Sequence, residues 1–215
     1  MQEKSKDIMA KNKAAIFVDD ANLFYAQKKV GWKIDLKKLK KILEQEVKIQ
    51  FINYYIALPA KWDHAYNETE NYLKKIKKSA NIKTKPLKYI RSKGSLIKKG
   101  DVDLELSLDV VRELQKLNII IIVSGDSDYV ELRKYVLEKG KKIIFFGFRE
   151  NMAWEIKKGK YCLFNNIRRF VELNKKTPGC YPRRLLLSNL YQKSKNLSST
   201  KKVKKQEKRK CEKNQ

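Results

Sequence analysis

The sequence predicts an α/β fold: a doubly wound, mostly parallel central sheet flanked by helices, with a basic, largely disordered C-terminal tail. Three observations point to it. Residues 118–123 (Asn-Ile-Ile-Ile-Ile-Val) contain five consecutive β-branched apolar residues, a run of strand length. A strand covered by helices on both faces needs such a run, whereas a half-exposed strand alternates. Second, runs of this kind alternate along the chain with segments of helical apolar spacing, the pattern of parallel strands joined by crossover helices. Third, the composition shifts after Asn174: residues 175–215 hold 14 Lys or Arg, with Glu207 and Glu212 as the acids. Within that stretch, residues 201–213 have almost no apolar side chains, too few to offset the entropy of ordering. The expected organisation is a flexible N-terminus over residues 1–12, one domain over 13–173 and the tail over 174–215.

The elements follow in order. Residues 14–18 (Ala-Ala-Ile-Phe-Val) make a strand cut off by Asp19 and Asp20, and residues 21–29 a short helix. Asp35 caps an amphipathic helix reaching to Glu46, with Leu36, Leu39, Ile42 and Leu43 on its inner face. Residues 51–57 are aromatic and β-branched and form the second strand, closed by Pro59. Residues 63–79 are helical, with Tyr66, Tyr72, Leu73 and Ile76 facing inward. Residues 82–90 form a weaker strand, and Pro86 puts it at an edge because proline has no N–H for the ladder. Residues 91–100 read as a basic, glycine-containing loop. Residues 101–117 begin with a strand-like alternation at Val102, Leu104, Leu106 and Leu108. Their Leu, Glu and Ser content and their length nevertheless favour a helix. After the 118–123 strand come Ser124-Gly125-Asp126-Ser127-Asp128, a helix over 129–139 closed by Gly140, and a strand over 142–146 ended by Gly147. A short helix over 151–158 and a last short strand or loop over 161–167 complete the domain.

Composition narrows the function classes. Lys plus Arg is 51 against 24 Asp plus Glu, a net charge of +27. Such an excess points to a polyanion, nucleic acid first and an anionic membrane surface second, while a generally lysine-rich composition is the bland explanation. The three cysteines are odd in number and none has metal-ligand spacing, so free thiols in a reducing compartment are expected. His64 is the only histidine, which leaves little support for a His-based zinc site or a Ser-His-Asp triad. No stretch approaches the ~18 apolar residues of a membrane helix, and the first residues lack the apolar core of a signal peptide. A cytoplasmic protein with no membrane partner is expected.

Within this basic chain, acids gather at strand ends. The first strand ends in Asp19 and Asp20, the strongest strand is followed by Asp126 and Asp128, and Asp101, Asp103 and Asp109 precede it. In an open parallel sheet the site lies at the carboxyl ends of the strands. Carboxylates that converge there repel one another unless a divalent cation neutralises them. Oxygen ligands without His or Cys favour Mg²⁺ or Mn²⁺ over zinc. Such a centre suits phosphodiester hydrolysis, in which a metal-bound water attacks phosphorus. Each Asp taken singly could instead be a turn or helix-cap residue.

At these residues the sequence resembles a family. Ile16-Phe17-Val18-Asp19-Asp20-Ala21-Asn22-Leu23-Phe24 resembles the first motif of NYN domains, which are PIN-like nucleases. Residues 99–109, with Val102-Asp103 and Asp109, resemble the second, and Ser124-Gly125-Asp126-Ser127-Asp128-Tyr129 the third. Lys139-Gly140-Lys141 and the strand after it also match. The resemblance implies a metal-dependent ribonuclease in which Asp19, Asp103 and Asp126 hold Mg²⁺ or Mn²⁺ and Asp128 lines the same pit. Asn22 would orient a ligand or the substrate, Ser124 and Asp109 would support, and Lys99 would touch a substrate phosphate. The implied partner is RNA, single-stranded or structured. The sequence departs from the family at Asp20, where a glycine is usual and a charge is added at the rim. It departs again at Gly100-Asp101, one residue longer than usual, and at Lys158-Gly159-Lys160-Tyr161-Cys162, where relatives carry an acid.

Other functions compete. A haloacid-dehalogenase-like phosphatase needs a second acid where Ala21 stands, and a dinucleotide fold needs a glycine-rich turn after the first strand. The main alternative is a non-catalytic RNA-binding or regulatory module on the same fold. A third is a scaffold that forms a homodimer through the sheet edge. What separates enzyme from module is whether Asp19, Asp103 and Asp126 come within reach of one ion.

Overall fold

Eight strands alternate with seven helices in the computed structural model, in which residues 12–92 and 95–176 are described. The strands are β1 (Lys13–Asp19), β2 (Lys48–Leu58), β3 (Asn81–Pro86), β4 (Lys88–Ser92), β5 (Ser95–Lys99), β6 (Ile119–Val123), β7 (Lys142–Gly147) and β8 (Tyr161–Leu163). The helices are α1 (Asp20–Val30), α2 (Leu36–Leu43), α3 (Tyr66–Ile76), α4 (Asp103–Glu113), α5 (Val130–Glu138), α6 (Trp154–Lys157) and α7 (Phe164–Val171). The expected flexible residues 1–11 and the tail beyond residue 176 lie outside the described residues, as do Cys180 and Cys211.

Six strands pair in the order β3-β2-β1-β6-β7-β8, and every pairing is parallel. The chain builds outward from β1 to β3, crosses over, and builds outward again from β6 to β8. This is the doubly wound arrangement, and β1 and β6 meet at its switch point. Their residues are apolar on both faces because each face is covered. Ile16, Val18, Ile121 and Val123 share one core with α1, α2, α3 and α7. Ala15, Phe17, Ile120 and Ile122 share the other with α4, α5 and α6. Tyr54, Tyr55, Phe145, Phe146 and Phe148 are all buried in these cores.

Most local expectations hold. Asp35 caps α2, accepting from the backbone N–H groups of Lys37 and Lys38. Pro86 ends β3, the edge strand, so the expected 82–90 strand stops there and residues 88–90 belong to β4 of a separate sheet. Residues 101–117 are helical, as α4 and a 3-10 turn. Among the described residues no helix is long and apolar enough to cross a membrane. Two further expectations are corrected. Residues 91–100 are not a loop: β4 and β5 form an antiparallel hairpin outside the main sheet, with Lys88 opposite Lys99 and Ile90 opposite Ile97. Residues 164–171 are a helix, α7, whose Phe164, Ile167, Phe170 and Val171 are buried at spacings of three and four. The short β8 before it masked that period.

Candidate active site

The switch point sets two chain turns side by side. Val18 of β1 is in register with Val123 of β6, and the chain leaves both strands at the same sheet edge. Asp19 ends β1 and caps α1, accepting from the Asn22 backbone N–H at 3.2 Å. A short carboxylate does this well because it reaches the unpaired amides of the first helical turn. Strand alternation places Asp19 on the face of Ala15 and Phe17, beneath α4 and α5. There its other oxygen accepts from Ser124 Oγ at 3.2 Å and from the Tyr129 phenol at 3.3 Å. The same phenol donates to Asp103, the first residue of α4, at 2.7 Å. One hydroxyl thus joins two carboxylates, and its single proton satisfies one of them at a time.

Asp126 stands on the adjoining turn. It caps the 3-10 turn Ser127–Tyr129 by accepting from the Asp128 N–H at 3.1 Å, and its own N–H bonds Ser124 Oγ at 3.2 Å. That turn delivers Tyr129 to the pit. Asp128 is exposed beside it.

The electrostatics show crowding. The Asp19 carboxyl is 3% exposed and is pushed up to about 6. Burial is the main cause and the Asp103 charge adds to it, while bonds from Asn22, Ser124 and Tyr129 pull the other way. Asp103 is also raised, first by burial and then by Asp126, Asp128 and Asp101, against the pull of the Tyr129 bond. Burial and these two carboxylates raise the Tyr129 phenol far above its ordinary value, so it remains a donor. The all-oxygen donor set fits Mg²⁺ or Mn²⁺. Yet no three acidic, His or Cys side chains among the described residues are grouped to hold an ion as they stand. Asp19 and Asp103 meet through Tyr129, while Asp126 is turned to its cap.

The sequence matches the NYN domain family over residues 13–164. The chain belongs to the NYN domain family. That family lies in the PIN-like nuclease superfamily. The chain is also similar to the low amplitude and bright protein LabA of Synechococcus elongatus, at 24% identity over 166 residues, covering 75% of this chain and 88% of that one. A crystal structure of a protein of unknown function from Vibrio parahaemolyticus shares the fold. Its TM-score is 0.60 at 22% identity, with 80% of this chain and all of that chain covered.

Within this NYN domain the remaining predicted residues take varied positions. Ser124 is 1% exposed and ties Asp19 to the Asp126 turn, so it positions the acids and is not open to a substrate. The Asn22 carboxamide oxygen accepts from the Gly125 N–H at 2.9 Å and from Asn151 Nδ2 at 2.7 Å, pinning the loop after β6 to α1. Asp109 accepts from the Tyr55 phenol at 2.9 Å and from Arg112 at 2.9 Å, and pairs with Lys83. Lys99 is exposed at the base of the β4–β5 hairpin. Asp20 adds no charge at the rim. It bonds the Tyr54 phenol, which in turn contacts the Tyr72 hydroxyl at 2.8 Å, over the opposite core.

Two functional residues escaped the sequence reading. Tyr129 looked like the first residue of a helix, although its place at the end of the third motif was a signal. Asn151 carried no local signal. We expect Asn22→Ala to lower stability by about 2 kcal/mol in urea denaturation, because it strands the Gly125 N–H and the Asn151 amide. Gly125→Ala should cost at least as much, since its Cβ would lie 2.5 Å from the Asn151 carbonyl oxygen.

Proposed function

We propose that this chain is a metal-dependent endoribonuclease that hydrolyses RNA at Asp19, Asp103, Asp126 and Asp128 with Mg²⁺ or Mn²⁺. One observation carries the reading. In a protein of net charge +27, none of these four acids is in an ion pair among the described residues, while Asp63, Glu105, Asp109 and Glu172 all are. Carboxylates left without cationic side chains, at a switch point and under mutual repulsion, suit an inorganic cation.

The chemistry divides between ion and protein. When bound, the ion supplies an activated water and offsets charge developing on the phosphate. Asp19, Asp103 and Asp126 are the residues that would hold it. Ser124 and the Asn22 N–H orient the Asp19 carboxylate. Tyr129 keeps its proton and holds Asp103 close to Asp19. The basic surface around the pit attracts the phosphate backbone. We place the activity in the cytoplasm, where a free thiol such as Cys162 persists.

The test is cleavage of end-labelled single-stranded RNA by purified protein with Mn²⁺ or Mg²⁺. Internal cuts that EDTA abolishes are expected. RNA binding without cleavage in either metal would reject the nuclease reading and favour the non-catalytic RNA-binding module. Two observations lean towards that module: no three acidic, His or Cys side chains among the described residues are grouped to hold an ion, and Lys158-Gly159-Lys160-Tyr161-Cys162 stands where relatives carry an acid.

A further inference from the structure

The β4–β5 hairpin lies outside both cores, and its residues are exposed or only partly covered. A two-stranded hairpin alone is marginal in water, so something must hold it. Asp63, in the loop between β2 and α3, has a side chain that is 1% exposed and binds both strands. It accepts from the Tyr89 phenol of β4 at 2.7 Å and pairs with Lys98 of β5 at 2.7 Å. The Tyr89 oxygen also accepts from the Ala60 N–H at 2.8 Å. At the hairpin's base Gly100 lies against Ala57, where a Cβ would fall 2.2 Å from the Ala57 Cβ, so the arm joins the sheet tightly at the carboxyl end of β2. The arm is therefore clamped in place at the edge that carries the acids.

Its surface is both basic and aromatic. Residues 88–99 hold five Lys or Arg and no Asp or Glu. Trp62 sits beside the clamp, 69% exposed, its ring centroid 4.4 Å from that of Tyr89. The two rings meet at 47°, so Tyr89 props one side of the indole and leaves the rest of it open as a stacking surface. On the hairpin face opposite Tyr89 and Lys98, Lys88 and Lys99 are paired across the strands, followed by Ile90 and Ile97, which are 43% and 44% exposed. Three residues join Lys99 to Asp103, so the two Cα atoms are at most about 14 Å apart.

We propose that the β4–β5 arm and Trp62 form a binding site for single-stranded RNA that leads the strand into the acidic pit, with a base stacked on Trp62 at the clamped face and the strand crossing the hairpin's edge to set phosphates on Lys88 and Lys99 of the other face. This rests on the RNA reading above. Charge selects the occupant: a second copy would bring an identical basic arm, whereas a polyanion is attracted. The stacking surface selects the strandedness, because a duplex keeps its bases stacked on one another and leaves none for the indole. The Asp63 clamp is a positioning device that sets the distance between the Trp62 surface and the pit.

The test separates binding from cleavage by using the Asp126→Asn full-length protein in EDTA, so that a failed nuclease reading leaves it intact. Affinities for a fluorescein-labelled oligouridylate and for an RNA duplex of equal length are measured across a salt series. We expect tighter binding to the single strand. Trp62→Ala should weaken that binding about tenfold, and Trp62→Phe should recover most of it. Lys88→Gln with Lys99→Gln should reduce the magnitude of the slope of log affinity against log salt by about 1.4, the value for two phosphate contacts on a single strand. The same double change at Lys37 and Lys40 of α2 should have a smaller effect. Duplex binding as tight as single-strand binding would overturn the proposal, as would a Trp62→Ala protein with unchanged affinity. A parent that is dimeric by sedimentation, made monomeric by Trp62→Ala with RNA binding unaltered, would assign the arm to self-association and overturn it too.

Discussion

Asp19→Asn should reduce RNA cleavage by more than about a hundredfold and yet make the metal-free protein more stable near neutral pH. The two effects have one cause. Asp19 is buried, and its carboxyl titrates at about 6 when folded, against 3.8 for the free group. Near neutrality the native state therefore holds an ionised group that it would stabilise better neutral, at a cost of up to about 3 kcal/mol. Asparagine keeps the shape. Its oxygen can accept from the Asn22 N–H, and its amide can donate to Ser124 Oγ and the Tyr129 oxygen, which then act as acceptors. A gain of about 2 kcal/mol in thermal or urea denaturation without metal is expected. The lost charge matters to catalysis because a bound ion contributes several kcal/mol of charge stabilisation, equivalent to more than about a hundredfold in rate. Lower stability with full activity would mean that Asp19 is only a helix cap.

The second large effect is the pH dependence of stability. Asp20 is also pushed up to about 6, by burial and against the pull of its bond to Tyr54. Both folded values lie above the unfolded ones, so between them the native state retains protons that the unfolded chain has released. The contribution of each group is therefore fully present below about pH 4 and is lost as pH rises through about 6. Together the two groups amount to several kcal/mol, a large share of the stability of an ordinary domain. The increase in net positive charge on acidification opposes the trend in the parent, so the comparison must be between variants. Relative to Asp19→Asn or Asp20→Asn, the parent should lose stability from about pH 4 to about pH 7, measured by urea midpoints in EDTA. Adding Mn²⁺ should reverse the Asp19 share and leave the Asp20 share, because Asp20 bonds to tyrosine over the opposite core. Equal pH profiles for parent and both variants would show that neither group is perturbed.

Ile119–Val123 announced a central strand because five consecutive apolar side chains suit only a strand covered on both faces. Asp35 announced a helix start because capping is a contact within one turn. The β4–β5 hairpin went unread because Lys, Arg, Ser and Gly describe a loop. What holds it is Asp63, more than 20 residues earlier in the chain. Helix α7 was hidden because its buried face begins at Phe164, directly after a three-residue strand.

The same division holds at the site. Sequence alone determined the α/β class, the strand ends that carry Asp19 and Asp126, and the NYN motifs, since each depends on neighbours a few residues away. Only the tertiary structure decided that β1 and β6 are adjacent, that Tyr129 joins Asp19 to Asp103, and that Ser124 and Asn22 brace the turns from within. It also decided that Asp20 turns to Tyr54 and not to the pit. Those outcomes depend on burial and on contacts between side chains far apart in the chain, 110 residues for Tyr129 and Asp19 and 129 for Asn151 and Asn22, and local pattern carries no record of either.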